Sequence, residues 1–242
     1  MAAMRRALFL LLICAVSGAS AQIVAGTLEE RLFEAIDEGK EVVAEGVLTR
    51  GKVNLNVRNA EGETALHRAV EKGMKELAQA LVRAGTNLKA RSSSGETVLH
   101  IAALHTDPAL AAFLLEAGAE FKARNDDGES PLHWAALSGN VLVAKLMLER
   151  GADPDVADVR GNRPLHAAAD SGSTEMVRLL LSRASDARAK NREGATAEDV
   201  ANERSRPDIA QLLSKAVARP PAQSGTTNFS TIDVDLQPKE KF

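Results

Sequence analysis

An all-α solenoid of stacked helix-turn-helix units, with loops projecting between them, is the fold this sequence predicts. Three observations predict it. Glycine recurs at 62, 95, 128, 161 and 194, a constant spacing of 33 residues. Apolar residues within each copy recur at i, i+3 and i+4, the helical period. Only 3% of residues are aromatic and none is Tyr, so the core is built from Leu, Val, Ile, Met and Ala, a set suited to close helix packing.

The chain of 242 residues opens on Arg5 and Arg6, an apolar run from Ala7 to Val16, and the small residues Ala19, Ser20 and Ala21. That is the layout of a secretory signal peptide, residues 1–21, cleaved after Ala21. The apolar run is about half of the roughly 20 residues that would span a bilayer, so stable membrane insertion after cleavage is not expected. Cys14, the one cysteine, lies in this run and follows the bulky Ile13, which argues against lipid attachment. The mature chain would hold no cysteine and depend on no disulfide. Loss of Arg5 and Arg6 leaves 28 of the 30 basic residues against 33 acidic ones. Nothing resembles the basic stripe of a nucleic-acid binder.

The repeat domain, 22–217, follows. Residues 28–61 have a helical pattern without the motif of the later copies, with about one extra residue near Gly51, and form a divergent first unit. Repeats then run 62–94, 95–127, 128–160 and 161–193, reading "GETALHRAVEKG", "GETVLHIAALHT", "GESPLHWAALSG" and "GNRPLHAAADSG". Thr64, Thr97, Ser130 and, in the last copy, Thr196 offer N-capping hydroxyls, and Pro131 and Pro164 take the first helical turn, where a missing N–H costs nothing. Leu66, Ala69 and Val70 and their counterparts make the buried face. Gly73, Gly139 and Gly172 stop that helix in a left-handed turn. Copy two has Thr106 there, and Asp107 and Pro108 restart the chain. The second helix supplies two apolar columns, Leu77, Leu110, Val143, Met176 and Ile209, then Leu81, Leu114, Met147, Leu180 and Leu213. Gly85, Gly118 and Gly151 end it, whereas copy four has Ala184, where a left-handed cap costs about 1 kcal/mol. Residues 194–217 form a capping repeat, with Glu198 and Asp199 in place of Leu and His. Solenoid ends need such polar caps. Residues 218–242 are proline-rich and predict a flexible tail. Phe229, Ile232, Val234 and Leu236 interrupt its polarity with the makings of an adhesive segment that could fold back on the repeats. Asn228-Phe229-Ser230 fits a glycosylation acceptor.

The 33-residue period with its T-P-L-H-x-A-like motif resembles the ankyrin repeat over residues 28–217. The resemblance implies stacked helix pairs, projecting fingers, a concave face and fingertips that bind another protein, and a motif histidine that hydrogen-bonds loop backbone. With the leader, the chain is similar to the signal-peptide-bearing periplasmic ankyrin proteins of Gram-negative bacteria. Some of those are linked to protection of a periplasmic enzyme, including catalase in oxidative stress.

Catalysis is not expected. His67, His100, His133 and His166 share one motif position, so stacking holds neighbours about 10 Å apart, whereas zinc needs nitrogens about 2 Å from one ion. They are structural. His105 is an ordinary surface residue. No G-x-S-x-G elbow or phosphate-cradling G-x-x-x-x-G-K-[ST] is present. No cofactor or metal is implied, and the acidic fingers are solvated turns.

Function should lie where copies differ without a packing reason. Two residues after the motif Leu stand Arg68, Ile101, Trp134 and Ala167; three further stand Glu71, Leu104, Leu137 and Asp170. Ile101 with Leu104, and Trp134 with Leu137, make i, i+3 pairs side by side. They would expose an apolar patch rimmed by Arg68, Glu71 and Asp170, the form of a binding hot spot. Alternatively, Trp134, the one tryptophan, fills space beside Ala135, Ala136 and Ala167. Fingers at Ser92 to Ser94, Asn125 to Asp127, Asp158 to Arg160 and Asn191 to Glu193 would add polar contacts, Asp126 and Arg160 among them. The function expected is that of a monomeric periplasmic or secreted scaffold binding a partner protein. The alternative is an exported effector, inhibitor or immunity protein acting on a foreign one.

Overall fold

The computed structural model describes residues 26–105 and 107–218. The signal peptide expected at 1–21, the turn residue Thr106 and all of the expected tail after Ala218 lie outside the described residues. Among the latter are twelve helices in six pairs: α1 (Leu28–Asp37) with α2 (Glu41–Thr49), α3 (Ala65–Glu71) with α4 (Lys75–Arg83), α5 (Val98–Leu104) with α6 (Pro108–Glu116), α7 (Pro131–Ser138) with α8 (Val141–Glu149), α9 (Pro164–Ser171) with α10 (Thr174–Ser182), and α11 (Ala197–Glu203) with α12 (Pro207–Ala218). No helix among the described residues is long and apolar enough to cross a membrane.

First helices stack on first helices from α1 to α11, more densely than second helices stack on second ones, so the first row lies inside the curve. The reason is side-chain size. Ala69, Ala102, Ala135, Ala168 and Ala201 are fully buried along the inner row, and alanine lets helix axes approach closely. Leu66, Leu99, Leu132 and Leu165 run beside them at no more than 1% exposure, and the two columns of the second helices close the other side of one continuous core.

The outer row is thinnest between α4 and α6, where copy two breaks the turn pattern. α5 ends on His105 in an extended conformation, with no left-handed cap. Asn140 of the next unit donates from Nδ2 to the His105 carbonyl at 2.6 Å, and the Asp107 carboxylate accepts from the Ala109 N–H at 2.9 Å to start α6. The helix survives with an altered turn.

Left-handed caps follow α1, α3, α4 and α6 to α11, and two of these are not glycine. Ala184 sits at φ 63° and Ser205 at φ 56°. Ser205 occupies the register of Gly73, Gly139 and Gly172, a cost in the last copy that the sequence pattern had not flagged. The first unit, though divergent, forms a true pair, with Thr27 and Glu30 closing a capping box on α1.

Candidate protein-binding surface

The motif histidines build the frame on which any surface rests. At His67, the Thr64 backbone N–H donates to Nδ1 at 3.3 Å, the Thr64 hydroxyl lies 2.9 Å from the same atom, and Nε2 faces the Glu96 carbonyl at 3.3 Å. Nε2 of His100, His133 and His166 likewise meets the carbonyls of Glu129, Asn162 and Ala195 at 3.1, 3.1 and 3.2 Å. A backbone N–H can only donate and a carbonyl can only accept, so Nδ1 must be bare and Nε2 must carry the proton. Each ring is therefore a neutral staple from its own helix start to the loop of the next repeat. Burial pushes His67 and His100 down from 6.5 to about 4, and lowers His133 and His166 as well. In the last copy Asp199 replaces the ring and accepts from the Thr196 N–H and hydroxyl at 2.8 and 2.7 Å.

The four residues expected to form the apolar patch divide. Leu104 and Leu137 stand open at 46% and 48% exposure, but Ile101 is only 7% exposed. The expectation that Ile101 contributes to the open face is corrected: it belongs to the continuous core, against which Trp134 packs. Trp134 is half-buried. Its indole Nε1–H donates to Glu129 Oε2 at 2.8 Å, and its ring meets that of His100 edge to face at 5.5 Å. One side of the indole is thus anchored, and the ring as a whole is only partly covered.

The rim residues are engaged within the chain. Arg68 binds Asp37 at 2.6 Å, Glu71 in close contact and Glu63 at 3.7 Å, tying the first unit to the second. Asp170 pairs closely with Arg204. Arg160, with 69% of its side chain exposed, reaches Asp158 at 3.7 Å and Glu129 at 4.0 Å. Through Glu129 it shares one carboxylate with Trp134.

The fingers need a second correction. Ser92, Asn125 and Asp158 were expected to offer polar contacts, yet they are 6%, 8% and 6% exposed. Their side chains fold the turn instead. Asn59, Asp158 and Asn191 each accept from the backbone N–H groups two and four residues on, and Ser92 does the same through its hydroxyl. Such side-chain turns compete with regular structure for the backbone donors. Tips remain exposed at Ser93, Asp126 with Asp127, Val159 with Arg160, and Arg192 with Glu193. One backbone hydrogen bond joins each tip to the next: Ser93 to Glu61, Asp126 to Ser94, Val159 to Asp127 and Arg192 to Arg160, at 2.9 to 3.0 Å.

Two features of this surface escaped the sequence reading although the 33-residue register carried them. Arg58 donates to the Arg91 carbonyl at 2.6 Å, Arg91 to that of Arg124 at 2.7 Å, and Arg124 to that of Ala157, a stitch that ends where Ala157 breaks the series. Val159, 43% exposed, is the bulky apolar residue in a tip register otherwise held by Ala60, Ser93, Asp126 and Arg192.

No group of histidine, cysteine and carboxylate side chains among the described residues is arranged to hold a metal ion. On this surface apolar side chains are held beside a hydrogen-bonded polar frame, with charges at the edge. A search of curated proteins finds no match. The family model for ankyrin repeats in three copies matches residues 2–125, 87–158 and 132–223, and with its six stacked helix pairs the chain belongs to the ankyrin-repeat family.

Proposed function

We propose that this chain is an exported scaffold, periplasmic or secreted, that acts as a monomer and holds a partner protein against its inner face and fingertips. Ankyrin repeats indicate a protein–protein interaction scaffold, typically without catalytic activity of its own. The observation that carries the placement is the exposure of Leu104 and Leu137 on adjacent inner helices, in a register where the flanking copies have Glu71 and Asp170. A solenoid needs no leucine at an exposed position for its own stability, whereas an interface core is built from such residues inside a charged rim. The half-buried Trp134 adds a rigid wall, and Asp126 and Arg160 at the tips add orientation. Protection of a periplasmic enzyme is the specific form that the leader and the repeats together suggest.

The test is capture of partners from the cells that make the protein, with the mature chain as bait, beside L104D and L137D variants of unchanged helicity. Loss of a specific protein from both variants is expected; equal recovery of every captured protein would refute the placement. Fractionation of those cells, with the mature chain in the periplasm or medium, checks export.

A further inference from the structure

The exposed apolar face has a candidate occupant within the same chain. Residues 219–242 follow α12 and lie outside the described residues. They hold Phe229, Ile232, Val234 and Leu236, separated by Asp233 and Asp235. We propose that residues 229–236 dock in cis on the inner face at Leu104, Trp134 and Leu137, and so compete with the partner. This rests on the reading of that face as the docking surface.

Reach permits it. The unit carrying Trp134 is two units from the last one, about 20 Å along the stack at 8–10 Å per helix layer. The ten residues from Arg219 to Asn228 span up to about 34 Å when extended. Spacing supports it as well. Leu104 and Leu137 lie one layer apart, about 10 Å, and Ile232 to Leu236, four residues apart and therefore on the same face of an extended chain, spans about 13 Å, enough to bridge them. Alternation along a strand then sets Ile232, Val234 and Leu236 on one side and Asp233 and Asp235 on the other. Arg160, 69% exposed at the edge of this face and joined through Glu129 to Trp134, is the cation those carboxylates would meet.

Trp134 is the only tryptophan, so its quenching by acrylamide reads coverage directly. The full mature chain is compared with an F229S/I232S/V234S variant, at several protein concentrations. Stronger quenching in the variant at every concentration is expected, together with saturable binding of a synthetic peptide of residues 225–238 to the variant. With an effective local concentration near 1 mM and a peptide Kd near 0.1 mM, the variant should bind a captured partner about tenfold more tightly. Equal quenching in the two proteins overturns the proposal. So does protection that grows with protein concentration, which would assign the segment to a second copy, and so does peptide binding undiminished by L104D and L137D. If L137D loses the partner while quenching is equal, the docking face stands and self-occupancy falls. If the tail shields Trp134 but L137D keeps the partner, self-occupancy stands and the docking face falls.

Discussion

Lowering the pH from 7 to 5 should remove a large part of the stability of this solenoid through two histidines alone. In the unfolded chain His67 and His100 take up protons near 6.5, but burial in the folded chain holds them neutral until about 4. Between those values the unfolded state binds more protons, so stability falls as the pH falls through the window from 6.5 to 4 and is fully present above it. At pH 5 the loss is about 2 kcal/mol per ring relative to pH 7, and about 4 kcal/mol for the pair. The Nδ1 end of each staple adds to the effect of burial. Protonated Nδ1 would point its N–H at the N–H of Thr64 or Thr97, replacing an attraction with a clash of donors. His133 and His166 shift in the same direction and add to the slope. Glu29, Asp199 and Asp208 lie below the usual carboxylate range because hydrogen bonds, chiefly to the Asn54 N–H, the Thr196 N–H and the Thr174 hydroxyl respectively, favour their charged forms. Their contributions are lost only at lower pH. Urea unfolding followed by far-ultraviolet circular dichroism checks this: with an m-value of about 2 kcal/mol per molar, the midpoint at pH 5 should lie about 2 M below that at pH 7. An H67Q/H100Q variant should be weaker at pH 7 and lose a major part of the slope. Coincident midpoints at the two pH values, or a variant with the full slope, would refute the staple argument.

Other outcomes follow from single positions. Ala184→Gly should stabilise the protein by about 1 kcal/mol, because Ala184 sits at φ 63° and glycine carries no Cβ penalty there; thermal unfolding reads this. Gly62→Ala should cost 2 kcal/mol or more, roughly, since it combines a left-handed φ of 73° with a Cβ placed 2.7 Å from the Ser93 nitrogen. Hydrogen exchange should then rise first at the Ser93 amide, whose bond to Glu61 ties the first two fingers. Trp134→Phe should cost about 1 kcal/mol by removing the bond to Glu129. Leu137→Asp should change stability by less than about 0.5 kcal/mol, as an exposed site, while abolishing capture of the partner.

Periodicity, caps and glycines are local or strictly repeated properties, so the sequence by itself determined the helix pairs, their order and the left-handed cap at Ala184. It also determined that the histidine column could not converge on a metal, because a register of 33 residues separates its members whatever the details. Which side chains remain open depends on what neighbouring layers cover, and that only the tertiary structure decided. Ile101 and Leu104 are one helical turn apart and equally apolar, yet the core takes the first and leaves the second. Trp134 is divided by a carboxylate five residues before it and a ring in the preceding repeat. Asn125 and Ser92, polar and in loops, turn inward because the backbone donors of each finger need them, whereas the apolar Val159 stays open at a tip. Burial is a sum over the adjacent repeats, and residue type at one position does not contain that sum.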